Sequence, residues 1–147
     1  MPELKLLIVD DSPVDRLVLQ RELEAVPLPM TVTTAEDGKS ALEYFEQHCA
    51  GDSDEGQSVA IVFLDVNMPI MDGLEFLRSL SACRDKWQCN AAVVMMFSSV
   101  MSDQVVAESH SYDFVVGHIL KDDYNTASLE TIIKKALSQL GVVDLAK

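Results

Sequence analysis

Cysteine is sparse in this chain: Cys49, Cys83 and Cys89 form an odd set of three without CxxC spacing. That excludes a disulfide framework or a zinc site of ordinary spacing and points to reduced thiols in a cytoplasmic protein. Basic residues are also few. Eleven Lys and Arg stand against 24 Asp and Glu, for a net charge of -13. Such a surface repels nucleic-acid phosphates and anionic membranes, so no direct nucleic-acid binding is expected. No apolar run approaches the roughly 18–20 residues of a bilayer span, which excludes membrane insertion by a helix. Residues Met1 to Lys5 lack a charged segment followed by a long apolar stretch, so no signal peptide is expected. Internal repeats and low-complexity segments are absent.

What remains is a chain of 147 residues, 48% hydrophobic, which suits one domain with an ordinary core. Strand and helix patterns alternate five times along it. Leu4 to Val9 reads as the first strand. Ser12 and Pro13 open a helix as cap and first-turn residue, with Asp15 three after the cap. Val14, Leu17, Val18 and Arg21 share one face of it, and Pro27 and Pro29 bar its continuation. Thr31 to Thr34 is a weak, β-branched strand suited to a sheet edge. Asp37-Gly38 turns into a second helix whose apolar side is Ala41, Leu42, Phe45 and His48, and the polar stretch Ala50 to Ser58 reads as an exposed loop.

The third strand is Val59 to Leu64. A third helix runs from Leu74 to about Ala82, with Leu74, Leu77 and Leu80 inward, and Arg84 to Asn90 is expected to be a loop carrying Trp87. Ala92 to Phe97 is the fourth strand and Met101 to about Ser111 the fourth helix. The fifth strand falls at Gly117 to Leu120. Leu129, Ile132, Ile133, Ala136, Leu137 and Leu140 mark a last helix, stopped by Gly141. Alternation of this kind, with near-continuous apolar strands, predicts an α/β fold: a flavodoxin-like, doubly wound five-stranded parallel sheet in order 2-1-3-4-5, helices on both faces.

In such sheets ligands bind beyond the carboxyl ends of the strands. The residues at those ends are informative. Asp10 and Asp11 follow the first strand, Asp65 and then Asn67 the third, Ser98 the fourth and Lys121 the fifth. Singly each has an ordinary role: Asp10-Asp11 could favour a helix start, Asp65 could be a turn acid, Ser98 a loop hydroxyl and Lys121 a surface lysine. Together they put three mutually repelling carboxylates at one rim with a single lysine. A hard divalent cation such as Mg²⁺ suits them and leaves sites for a phosphate oxygen. Asp65 would then be metal ligand and nucleophile, attacking phosphorus to give an acyl phosphate. Lys121 would offset phosphoryl charge and Ser98 would donate to a phosphoryl oxygen.

At Leu7-Ile8-Val9-Asp10-Asp11-Ser12-Pro13 and Leu64-Asp65-Val66-Asn67-Met68-Pro69-Ile70-Met71-Asp72-Gly73 the chain resembles a response-regulator receiver domain of two-component signalling. The likeness runs from Leu4 to about Leu140 and implies one receiver domain over residues 1–147 without an output domain. It implies phosphorylation of Asp65. Mg²⁺ would be held by Asp11, Asp65 and the Asn67 carbonyl, with Asp10 acting mostly through water. It makes Ser98 the switch hydroxyl and Lys121 the phosphate-sensing lysine. The phosphodonor would be a sensor histidine kinase or phosphotransfer protein. A downstream protein partner, unnamed by the sequence, would engage the face of the fourth helix, fifth strand and fifth helix. The chain would be no enzyme beyond its own phosphorylation and dephosphorylation.

Two positions depart from the family pattern. Asp122 follows Lys121 where the family has proline, which predicts a trans bond or a reshaped loop, and the charges of Asp122 and Asp123 could compete for Lys121. His118 aligns with the family's switch aromatic and brings a charge that depends on pH. Three other readings remain open. A Mg²⁺-dependent aspartyl-phosphate phosphatase or phosphotransferase would want an acid where Asn67 stands. An FMN binder would want a Ser/Thr/Gly-rich loop where Asp10-Asp11 stand. A phosphate-independent receiver-like interaction module is suggested by the Lys121-Asp122 junction alone.

Overall fold

A computed structural model describes residues 4–49, 59–66, 68, 71–87, 92–99 and 102–139. The elements alternate as β1 (Leu4–Val9), α1 (Pro13–Glu24), β2 (Met30–Ala35), α2 (Gly38–Cys49), β3 (Val59–Asp65), α3 (Gly73–Trp87), β4 (Ala92–Ser98), α4 (Asp103–His110), β5 (Val115–Leu120) and α5 (Thr126–Gln139). The strands form one sheet in the order β2-β1-β3-β4-β5, and every neighbouring pair is parallel. This is the doubly wound arrangement that the alternation implied.

The period of two along a strand explains the two cores. On β1, Leu6 and Ile8 point to one face and Leu7 and Val9 to the other, and all four are buried. The first face packs on Leu19 and Leu23 of α1 and on Leu129, Ile133, Ala136 and Leu137 of α5. The second packs on Ala41 and Phe45 of α2 and on Phe76, Leu77 and Leu80 of α3. Both sheet faces are covered, which is why the inner strands are apolar without alternation. β2, the weak β-branched strand, lies at the edge with Thr31 and Thr34 exposed.

Two expectations shift, at α3 and β5. Helix α3 continues to Trp87, so Arg84 to Trp87 is helical where a loop was expected; no proline or glycine interrupts that stretch. β5 begins at Val115, because a bulge lets Val115 and Gly117 pair with the adjacent Val94 and Met95, and Val116 is the extra residue. On α1 the face of Val14, Leu17 and Val18 is turned to water, with 68%, 48% and 48% exposure, and the helix is held by Leu19 and Leu23 instead. The loop Ala50 to Ser58, Asn67, residues 88–90, Leu140 and Gly141 lie outside the described residues.

Candidate functional site

Register builds the site. β1 and β3 pair with Val9 opposite Leu64, so the next residues, Asp10 and Asp65, leave the ladder side by side. β3 and β4 pair with Asp65 opposite Phe97, which sets Ser98 one step further along the same rim. Ser98 pairs with Leu120, and Lys121 follows at once, its N–H donating to the Ser98 carbonyl at 3.0 Å. Asp10, Asp65 and Ser98 are buried, whereas Asp11 is open to solvent.

Carboxylate oxygens of Asp10, Asp11 and Asp65 all lie within 4.8 Å of one another. Asp10 has two tasks. Its Oδ1 accepts from the Ser12 N–H at 2.9 Å, while Ser12 Oγ caps α1 by accepting from the Asp15 N–H at 3.3 Å. Asp10 thus supports the start of α1 with one oxygen and leaves the other at the rim. Its Oδ2 is sealed from solvent without a well-directed hydrogen bond, and faces the Lys121 ammonium at 2.8 Å. A buried carboxylate oxygen left in this state beside two other acids fits a hard cation bound by oxygen ligands.

Lys121 Nζ also lies 2.8 Å from Asp15 Oδ2 and 3.6 Å from Asp65 Oδ2, and sits 5.4 Å from the Phe97 ring centre. Burial alone would lower its pKa, but its contacts with Asp10 and Asp15 and the charge of Asp65 win and hold it well above the ordinary lysine value. Asp122 and Asp123 are exposed and take no part in these ion pairs, so the competing carboxylate is Asp15. The junction after Lys121 is a tight turn in which the Asp123 N–H donates to the Leu120 carbonyl at 3.0 Å.

Asp15 was legible only as a first-turn acid. No spacing rule singled it out, because Asp11 precedes the cap of α1 and the helical i,i+4 relation does not reach it. Two further supports lie outside the expected set. Arg16 Nη1 donates to the Asp10 carbonyl at 2.6 Å and ties α1 to the end of β1. Gly73 opens α3 directly against the end of β3: a Cβ there would stand 2.6 Å from the Asp65 carbonyl oxygen and 2.9 Å from Val66 Cα. The Gly73 N–H donates to the Val66 carbonyl at 2.9 Å, and Asp72 and Glu75 cap the helix reciprocally.

His118 lies away from the rim, half-buried on β5. Ser109 Oγ gives its one proton to the Val106 carbonyl at 3.0 Å, so the 3.0 Å contact to His118 Nε2 has the imidazole donating. The His118 ring meets His110 edge-on at 4.6 Å. Burial first, and the neighbouring His110 second, push its pKa below the ordinary value.

The profile of the response regulator receiver domain family matches residues 6–135. The chain is 32% identical over 136 residues to the peroxide stress-activated histidine kinase mak3 of Schizosaccharomyces pombe, covering 92% of this chain and 5% of that protein. It is 33% identical over 107 residues to a protein-glutamate methylesterase/protein-glutamine glutaminase of a Nocardioides species, covering 73% of this chain and 25% of that enzyme. The chain thus spans only a small part of these longer relatives. A two-component response regulator of Cytophaga hutchinsonii shares the fold, with a TM-score of 0.76 at 18% identity over 94% of this chain and 99% of that one. Among the described residues no helix is long and apolar enough to cross a membrane.

Proposed function

This chain belongs to the response regulator receiver family, and from that premise we propose that the Asp65 carboxylate is its phosphoryl acceptor. The observation that carries this reading is the placement of Asp65: 4% exposed, at the end of β3, sharing one rim with Asp10, Asp11 and Lys121. An Asp65 carboxylate oxygen forms a bond to phosphorus, and the P–N bond of a donor phosphohistidine breaks. The electron pair leaves on the imidazole nitrogen, which takes a proton from solvent. Asp10, Asp11 and Asp65, with the Asn67 carbonyl, would hold Mg²⁺, which when bound supplies positive charge against the transferring phosphoryl oxygens. Lys121 brings a second positive charge to the same oxygens, and Ser98, one step along the rim, is the donor for another.

The donor is a sensor histidine kinase or phosphotransfer protein. Val14, Leu17 and Val18 are exposed on α1, whose first turn reaches the rim through Asp15, and suit a protein donor that must bring its phosphohistidine to Asp65. Output runs through a downstream protein partner at the face of α4, β5 and α5. A cleft of about 150 Å³ opens between β5 and α5, among Met95, His118, Ile132 and Lys135. New contacts from the phosphoryl group to Ser98 and Lys121 bias that face between two states, with His118 on the moving side. The protein acts as a cytoplasmic switch that turns over only its own phosphoryl group.

The test is intact mass after incubation with acetyl phosphate or phosphoramidate. The expected result is a gain of one phosphoryl mass in Mg²⁺, none in EDTA and none in Asp65→Asn. An adduct retained by Asp65→Asn would overturn the assignment.

A further inference from the structure

One ammonium serves three carboxylates at the rim. Lys121 Nζ sits 2.8 Å from Asp10, 2.8 Å from Asp15 and 3.6 Å from Asp65. The acceptor is its most distant partner. A phosphoryl group on Asp65 takes the carboxylate's own charge into the new bond and carries roughly one and a half to two itself, a net gain of about half to one negative charge, with three acceptor oxygens that draw the ammonium away from its present contacts. Asp10 is the costlier partner to leave until a cation replaces the lysine there, because its side chain is fully buried and Oδ2 has no other well-directed partner. The Asp15 side chain is 38% exposed, and water can replace the lysine there. Asp15 is also held in place: Ser12 Oγ accepts from its N–H, Asp10 Oδ1 accepts from the Ser12 N–H, and Arg16 donates to the Asp10 carbonyl.

We propose that Asp15 is a positioning residue that draws the Lys121 ammonium off Asp65 and gives it up when a phosphoryl group arrives. The proposal rests on Asp65 being the acceptor. It links residues 106 positions apart, the first turn of α1 and the turn after β5. Transfer to Asp65 thereby undoes an ion pair between these two elements at the moment it makes one to phosphate. The lysine's contact with Asp15 opposes phosphorylation, and removing that carboxylate leaves Lys121 nearer the place where phosphoryl charge develops.

The experiment follows the rate of phosphoryl gain from phosphoramidate in Mg²⁺ by intact mass. It compares wild type, Asp15→Asn, Asp15→Glu, Asp122→Asn, Lys121→Met and the double variant Lys121→Met/Asp15→Asn. Asp15→Asn is expected to gain phosphoryl about twofold to fivefold faster, the range of a partly exposed ion pair. Asp15→Glu keeps the charge within reach and should stay near wild type. Asp122→Asn removes the same charge beside Lys121 without touching Nζ, and should do so too. In the Lys121→Met background the substitution at position 15 should have no effect. A merely structural role would lower the urea midpoint and the rate together, whereas the proposal has the rate rise as the midpoint falls or holds. No acceleration in Asp15→Asn while wild type is labelled overturns the proposal and leaves Asp65 as acceptor. Equal acceleration by Asp122→Asn, or acceleration that survives loss of Lys121, overturns it as well. Wild type unlabelled by phosphoramidate, or labelled equally in Asp65→Asn, removes the acceptor assignment and the proposal with it.

Discussion

Replacing Lys121 with methionine keeps most of the side chain's length and deletes the charge that three carboxylates share. Asp10, fully buried, then has no cation beside Oδ2. Removing one partner of a buried ion pair costs about 3–5 kcal/mol, because the other charge is left uncompensated. The exposure of Asp15 and Asp11 places the expected loss at the lower end, about 3 kcal/mol. Mg²⁺ should restore much of it, since a ligand at 100 times its dissociation constant adds about 2.7 kcal/mol, and a rim without its lysine binds a divalent cation more tightly. Urea unfolding followed by circular dichroism, in EDTA and in Mg²⁺, measures both effects. Lys121→Met should be destabilised strongly in EDTA and gain more from Mg²⁺ than wild type does. Adding Asp10→Asn should recover much of the loss, because the stranded charge is gone. In wild type the stability supplied by Lys121 is complete below the ordinary lysine value of about 10.4 and is lost only as pH rises through its higher native value. A loss under about 1 kcal/mol in EDTA, the size of a surface pair, would refute the reasoning. So would an equal gain from Mg²⁺ in both proteins.

Gly73→Ala forces a methyl group against the Asp65 and Val66 backbone; it should cost about 1–3 kcal/mol in urea unfolding and slow phosphoryl gain by displacing the end of β3. Leu23→Ala, fully buried on α1, should cost about 2–5 kcal/mol, whereas Leu17→Ala on the exposed face of the same helix should stay within about 0.5 kcal/mol of wild type. His118 should titrate below the ordinary imidazole value of 6.5 when followed by NMR. The lowered value means the unfolded chain takes the proton first, so stability is full above that pH and declines as pH falls through it toward the native value. His118→Gln should flatten that decline.

Much of the rim was legible in the sequence because it depends on strand ends. Apolar runs stop at Asp10, Asp65, Ser98 and Lys121, and parallel pairing in register brings consecutive strand ends together without any long-range information. What the sequence hid depends on which way a helix turns. Val14, Leu17 and Val18 form as good an apolar stripe as Leu19 and Leu23, and only the packing of α1 on β1 and α5 decides which pair is buried. The partner of Lys121 was hidden for a similar reason. Asp122 and Asp123 are its chain neighbours, but a turn carries them into solvent, while α1 returns Asp15 over the rim. The end of α3 was missed because a polar, charged stretch from Arg84 reads as loop when no apolar period marks it as helix. The bulge at Val116 lies in the pairing of two strands, which a single strand's pattern does not carry.

An acyl phosphate on Asp65 can be located directly. Borohydride reduces an acyl phosphate to an alcohol, turning a phosphorylated aspartate into homoserine, and peptide mapping then shows where. After treatment with acetyl phosphate and Mg²⁺ followed by borohydride, homoserine is expected at position 65 and at no other aspartate. Homoserine at Asp10, Asp11 or another acid, with position 65 unchanged, would contradict the account.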